Sequence, residues 1–517
     1  MTTRTIRFQL NPEYFEESIE LLSTLYDGAE LSIAVDNGDF HPIYTANTDV
    51  QKEQILVYED SSTVLLKIKV IDKKRSDWEL GNQIEFYTPI DFTDLDLALF
   101  RMTRGQGGEL QCLLNDVIIF ALINEKTDLR SIPNDILALF AYRVNDISKL
   151  PQMPITNVAW FQDCAELISL RGLSNLPSLH KLSLWKCKSI QNADILKDLT
   201  QLTKLDLFSC YALQNVDSLE KLTQLTQLNL SFCSSLQNVD GLRNVTRLTK
   251  LDLSYCKSLQ NVDALKNLTQ LVKLNLPWCK SLQNVDSLIN LTQLTKLNLS
   301  WCKSIQNADI LIKLTQLSEL DLSRCKSLQN VDVLEKLTQL TQLNLSDCKS
   351  LQNVDGLKKL TQLSELDLSR CQSLQNVDVL ENLTQLTQLN LSYCKSLQNV
   401  DCLERLTQLT KLNLSWCKSI QNADILKKIT QLTELDLSRC QSLQNVDVLE
   451  NLNQLTQLDL SYCDSLQNVD VLENLIQLTQ LDLSYCDSLQ NVDVLENLIQ
   501  LTQLDLSYCD SLQNVDV

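Results

Sequence analysis

From Leu179 onward, apolar residues hold fixed places in a unit of 23 residues: Leu-Thr-x-Leu-Asp/Asn-Leu-Ser-x-Cys-x-Ser-Leu-Gln-Asn-Val-Asp-x-Leu-x-x-Leu-Thr-Gln. Numbered 1 to 23, the units start at 179, 202, 225 and so on to 501. A degenerate unit from Thr156, with Phe161 and Cys164 in register, makes sixteen. Positions 3 to 7 alternate polar and apolar, as in Gln457-Leu458-Asp459-Leu460-Ser461, which is the two-residue period of a half-buried strand. Leu at positions 4 and 6 therefore points inward. Asp at position 16 with Glu three residues on, as in Asp447 and Glu450, predicts a helix N-cap and capping box, with a short helical turn over positions 17 to 22.

One such unit cannot bury its leucines alone. Stacking sixteen of them builds a continuous core and a parallel sheet with strands roughly 4.8 Å apart, on the order of 70 to 80 Å long. The residues L-x-x-L-x-L-x-x-C-x-x-L resemble the leucine-rich repeat family in the form with Cys where Asn is commoner, and the resemblance covers Thr156 to Val517. It is closest to bacterial internalin-like repeats and to the cysteine-containing repeats of F-box and immune-receptor proteins. The absence of a signal peptide departs from the first, and the period of 23 from the second. The expected fold class is α/β: a leucine-rich-repeat solenoid with a parallel sheet on its concave face, preceded by an α+β N-terminal domain.

Residues 1–155 carry no repeat and hold 14 basic against 25 acidic side chains. Strands are expected at Thr5–Leu10, Leu31–Val35, Gln54–Tyr58, Thr63–Ile71 and Gln83–Tyr87. Helices are expected after Pro12 and over about Asp94–Met102, Glu109–Ile123 and Pro133–Val144, the last of them capping the first repeat. Three features here invite chemistry, and each has a plainer reading. Gly105-Gln-Gly-Gly before a helix would suit phosphate, but its spacing matches neither a P-loop nor a dinucleotide fingerprint, so a plain loop is preferred. Cys112 with His41 would make a nucleophile and base, without any sign that they meet. Lys73-Lys-Arg75 reads as a solvated hairpin face.

Of 18 cysteines, sixteen from Cys164 to Cys509 recur every 23 residues. That regularity reads as architecture: a small buried residue whose S–H donates to the turn backbone, rather than a metal or redox site. With only two histidines, His41 and His180, no metal and no cofactor are expected. Composition is 44% apolar and 21% charged with 9 Gly and 8 Pro, no apolar run is long enough to span a membrane, and the N-terminus lacks an apolar signal region, so a cytoplasmic protein is expected. The net charge of −20 argues against nucleic acid or anionic lipid as partner.

Because the scaffold barely varies, the variable outward positions carry the information. Position 8 reads Phe232, Tyr255, Trp278 and Trp301 in four adjacent units, and then Arg324, Asp347, Arg370, Tyr393, Trp416, Arg439 and three tyrosines. Position 3 supplies Lys250, Lys273 and Lys296 beside the rings, and position 10 supplies Lys257, Lys280 and Lys303. Aromatics in a shared patch are typical binding anchors, although they also stack on one another along a solenoid. Residues 225–316 hold 10 basic and 5 acidic side chains, whereas residues 455–517 hold 11 acidic and no basic ones.

These features imply a non-enzymatic protein-binding scaffold whose concave face takes a protein partner at the ring and lysine strip. The alternative is a sensor or effector whose residues 1–155 carry an enzymatic or signalling activity that the repeats target. The array stops within a unit at Val517 with no polar cap, which is expected to mean truncation or an association surface. Weak head-to-tail pairing of the acidic end with residues 225–316 of another copy is one form of the latter.

Overall fold

The computed structural model describes residues 120–512 apart from residues 304, 306, 307, 398 and 418–423. It also describes residues 105–107, 109 and 111, and the backbone of the strands that lie before residue 120. The chain divides into two compact units, residues 1–236 with 240–248 and residues 237–239 with 249–517.

In the first unit the strands are β1 (Thr3–Gln9), β2 (Gly28–Val35), β3 (His41–Thr45), β4 (Glu53–Glu59), β5 (Thr63–Ile71), β6 (Gln83–Asp91), β7 (Leu97–Arg104), β8 (Leu110–Leu114) and β9 (Val117–Asn124). After them come β10 (Ala138–Tyr142), β11 (Val158–Gln162), β12 (Lys181–Trp185), β13 (Lys204–Asp206) and β14 (Gln227–Asn229). An antiparallel sheet has the order β3-β2-β5-β6. Strand β1 runs antiparallel to β4 and parallel to β7, and β7, β8 and β9 form an antiparallel meander. All five strands expected from alternation are present, as β1, β2, β4, β5 and β6.

Three expected helices are strands. Asp94–Met102 contains most of β7, Glu109–Ile123 is the hairpin of β8 and β9, and Pro133–Val144 contains β10. For the described part of β9 and for β10 the reason is burial on both faces. Strands β10 and β11 are buried at nearly every residue, so their sequences show a continuous apolar run in place of alternation, and such a run does not separate strand from helix. The helix expected after Pro12 and the basic run at Lys73 lie outside the described residues.

A parallel ladder begins at β9 and runs through β10, β11, β12 and β13 to β14, pairing Phe120 with Ala138, Val158 with Lys181, and Lys204 with Gln227. It thus starts upstream of Thr156, in turns too degenerate to show the 23-residue pattern. On this stretch the sheet's outward face is covered: Trp160 is 1% exposed, Trp185 7% and Phe140 8%. Phe120, Phe140 and Trp160 meet along it, with ring centroids 5.6 and 6.5 Å apart.

The second unit repeats a single design. Its strands are β15 (Lys250–Asp252), β16 (Lys273–Asn275), β17 (Lys296–Asn298) and their successors at the same spacing, β18 (Glu319–Asp321) to β26 (Gln503–Asp505). All pair in parallel with equivalent positions opposite one another, as Lys250 with Lys273 and Lys273 with Lys296. In one unit, Leu455, Leu458, Leu460, Cys463, Leu466, Val469, Leu472 and Leu475 are all buried. Each fully buried Leu contributes roughly 1.5 to 3 kcal/mol, and the three-residue spacing beyond the strand returns an apolar side chain to the core at each step.

The helical turn is a 3-10 turn, and its cap differs from expectation. Asp470 is its first residue, not its N-cap, and Val469 before it makes no side-chain cap. The N–H of Asp470 instead donates to Asn468 Oδ1 at 2.6 Å, and Asp493 does the same to Asn491 at 2.6 Å. The Asn at position 14 therefore closes the turn as an Asx motif.

Candidate protein-binding surface

The bend after each strand decides where the variable side chains emerge. Asp or Asn at position 5 accepts the N–H of Ser at position 7, as Asp459 Oδ1 does from Ser461 at 2.9 Å. The next residue is left-handed in every unit, with φ of 62° at Trp278, 63° at Trp301 and 61° at Arg439, and no glycine occupies the position. A non-glycine residue in that region costs roughly 1–2 kcal/mol, so the array accepts a recurrent local cost at position 8. The bend is held by the position-8 N–H, which donates to the next unit's Ser carbonyl, as Trp278 does to Ser300 at 3.0 Å. It is held again by the Cys N–H, which donates to the position-6 carbonyl, as Cys463 does to Leu460 at 3.3 Å.

Beneath the bend lies the cysteine. Each Sγ reaches the position-6 carbonyl of the preceding unit, at 3.2 Å from Cys371 to Leu345 and 3.3 Å from Cys463 to Leu437. This is the backbone-donating role expected of the column, and every described thiol is free. Burial pushes Cys417, Cys440 and Cys486 up to about 12, and Cys348 and Cys463 higher still, with neighbouring thiols adding to the effect in most of them. Such thiols are protonated at neutral pH and poor nucleophiles.

The rings stand on this bend, at the rim of the sheet rather than on the strands. In the second unit Tyr255 stacks on Trp278 with centroids 5.4 Å apart, and Trp278 stacks on Trp301 at 3.8 Å. All three are half-buried. Phe232 belongs to the first unit, where it packs tilted against Phe208 at 5.2 Å, while Phe208 stacks on Trp185 at 5.6 Å. Self-stacking thus accounts for part of the ring column, at about 0.5–1.5 kcal/mol per pair.

Arginines extend the column, a feature that spacing alone did not reveal. Arg324 Cζ lies 4.3 Å from the Trp301 ring centre, and Arg370 Cζ lies 4.9 Å from that of Tyr393. Arg439 bridges Trp416 at 4.6 Å and Tyr462 at 3.5 Å. With Tyr393 on Trp416, Tyr462 on Tyr485, and Tyr485 on Tyr508, the stack is unbroken from Arg370 to Tyr508. Guanidinium planes lie flat on aromatic faces, which is why Arg and aromatic residues exchange freely in this column.

Lys250, Lys273 and Lys296 form one row across β15, β16 and β17. Lys296 Nζ reaches Glu319 Oε1 at 2.5 Å, so the row ends on an acid. Lys257, Lys280 and Lys303 are exposed on the bend, with Lys280 Nζ 4.5 Å from the Trp278 ring centre. The structure therefore brings Tyr255, Trp278 and Trp301 together with Lys280 and sets the strand lysines in a separate row on the open face.

The N-terminal candidates look different. The glycine bend at residues 105–107 leads into strand β8 rather than a helix, and it wraps a buried acid. A Cβ on Gly105 would lie 1.9 Å from Glu109 Oε1, the oxygen that accepts from Gln111 at 2.6 Å. A carboxylate there is opposite in kind to a phosphate cradle. His41 and Cys112 lie on strands of two different sheets.

The family model described as the BspA type leucine rich repeat region matches residues 154–260, 251–374, 323–436 and 413–517, in six copies. The chain belongs to the BspA-type leucine-rich repeat family. Its fold is shared with a leucine-rich repeat protein of Leptospira interrogans, at a TM-score of 0.50 and 19% identity over 69% of this chain and 91% of that one. A chain of the Drosophila Toll–Spätzle complex gives a TM-score of 0.50 and 16% identity over 79% of this chain and 65% of that one. The functional domain of InlJ from Listeria monocytogenes, whose structure includes a cysteine ladder, gives 0.49 and 26% over 65% and 68%. Comparison with curated proteins finds no match in sequence. BspA-type repeats are scaffolds of this fold, and among the described residues no helix is long and apolar enough to cross a membrane.

Proposed function

We propose that this BspA-type array is a non-enzymatic scaffold that takes an acidic protein surface across the open face of β15 to β17, with the rim rings as its border. The observation that carries the reading is the in-register row Lys250, Lys273, Lys296. The row sets like charges about one strand spacing apart and, with Lys296 also on Glu319, offers an acidic partner ammonium groups in register. Position 3 is the accessible part of that face: Lys250 is exposed and Lys273 and Lys296 are half-buried, while Asp252 and Asn275 at position 5 are buried. Residues 1–155 act in this reading as cap or adaptor, and the partner is met in the cytoplasm.

The test is capture of partners by the full chain, followed by titration of whatever is captured. Lys250→Glu with Lys273→Glu is expected to weaken binding at least tenfold without lowering the melting temperature. Trp278→Ala is expected to weaken binding and, because it breaks two stacks, to lower stability by about 1–3 kcal/mol. Partners that bind the lysine-reversed chain as well as the parent, with no dependence on salt, would place the site elsewhere.

A further inference from the structure

A charge row runs beside the ring column and changes sign along the second unit. Position 10 is lysine from Lys257 through Lys349 and again at Lys395, but aspartate at Asp464, Asp487 and Asp510. The described lysines of this row are exposed, as are Asp487 and Asp510. Positions 8 and 10 share one surface: Lys280 lies over the Trp278 ring at 4.5 Å, and Lys349 Nζ is 3.8 Å from Asp347. Core formation does not ask for the sign change, because the Cys and Leu on either side of position 10 are the same at both ends. An aspartate row at strand spacing repels itself, and no Lys or Arg from residue 455 onward offsets it.

We propose that this ridge is covered by a second copy of the chain, laid antiparallel about a two-fold axis at Tyr393 and Lys395. In that register Lys280 meets Asp510 of the partner subunit, Lys303 meets Asp487 of the partner subunit, and Lys326 meets Asp464 of the partner subunit. The axis repeats each meeting on the other side. The position-8 column agrees: Asp347 faces Arg439 of the partner subunit, and Arg370 faces Trp416 of the partner subunit. Lys395 facing its own copy is the one like-charge meeting among the described residues of the two columns. Sliding by one repeat either way keeps as many Lys–Asp meetings, but it sets Arg439 against Arg324 or Arg370. The register is therefore chosen by repulsion as much as by attraction, which is how specific pairings exclude their neighbours. Equal repeat length in both copies lets every pair form together.

The experiment is sedimentation of the full chain at about 50 mM and about 500 mM salt, where screening lengths differ severalfold. A dimer is expected at low salt, with at least tenfold weaker association at high salt. The triple variants Lys280→Asp/Lys303→Asp/Lys326→Asp and Asp464→Lys/Asp487→Lys/Asp510→Lys are each expected to be monomeric and folded. Their equimolar mixture is expected to dimerise again, since all facing pairs are then opposite. Carbodiimide coupling is expected to join Lys280 to Asp510 between copies. A parent that stays monomeric, a mixture that stays monomeric, particle size that grows past dimer with concentration, or coupling between equivalent repeats would each overturn the proposal. None of these results bears on the open sheet face, so the scaffold reading stands or falls separately.

Discussion

Raising the pH above 9 should unfold the repeat array, and the cysteine ladder sets how steeply. In the second unit Cys279, Cys302, Cys325, Cys348, Cys371, Cys394, Cys402, Cys417, Cys440, Cys463 and Cys486 all have pKa values pushed up by burial, those of Cys402, Cys417, Cys440 and Cys486 to about 12. In the unfolded chain each returns to an ordinary value of 9.0. Between pH 9 and 12 the unfolded state therefore binds fewer protons than the native one, and stability falls as pH rises. At pH 10 each thiol that stays protonated in the folded chain costs about 1.4 kcal/mol, so Cys279, Cys348, Cys394, Cys402, Cys417, Cys440, Cys463 and Cys486 together cost on the order of 11 kcal/mol, comparable to a whole domain's usual stability. Circular dichroism followed from pH 8 to 11 in reductant, with thiolate absorbance read in parallel, should show unfolding and ionisation in one step near pH 10. Alkylation at pH 7 should meanwhile modify few thiols in the native protein and nearly all after denaturation. Replacing Cys348 and Cys394 by Ala should make the alkaline loss shallower by about 2.7 kcal/mol per pH unit. Thiolate absorbance that rises near pH 9 while the dichroism is unchanged would show that the ladder ionises when folded, and the burial argument would fail.

Two further outcomes follow from the bend and from the acidic rows. Ser209 is left-handed with φ of 59°, buried and outside any ring stack, so Ser209→Gly should raise stability by about 0.5–1 kcal/mol in denaturant titration. A loss would mean that the bend does not strain its residue. Asp459 has its pKa raised, first by burial and then by Asp436 and Asp482, against the hydrogen bonds from Ser461. Its contribution is thus most favourable below the unfolded value of 3.8 and declines as pH rises through the folded one. Asp459→Asn keeps the acceptor for Ser461 and should slow hydrogen exchange of residues 455–490 at pH 7, with a smaller effect in high salt. Equal exchange in the two proteins would show the row to be neutralised already.

The 23-residue period, a strand opening at position 3 and the buried cysteine follow from sequence alone, because each rests on a side-chain pattern that recurs within one unit and needs no knowledge of neighbours; the strand expected over positions 3 to 7 ends at position 5 from β13 onward, where the bend begins. Alternation also located β1, β2, β4, β5 and β6, whose polar positions interrupt the apolar ones. Where both faces are buried, as at Phe140 and Trp160, that interruption is missing, and only the ladder from β9 to β11 shows that these segments are strands. The helical-turn cap moved from Asp470 to Asn468 because the 3-10 turn begins at Asp470 itself, whose N–H then takes the Asn468 side chain as acceptor. Tertiary structure alone decided the surface. Residues 23 apart in sequence become neighbours only once the register is fixed, which is what lays Arg439 between Trp416 and Tyr462 and lines up Lys250, Lys273 and Lys296. The list of position-8 residues was legible beforehand. Their left-handed backbone, which carries them to the rim and turns a list into a continuous stack, was set by hydrogen bonds that reach from one repeat to the next.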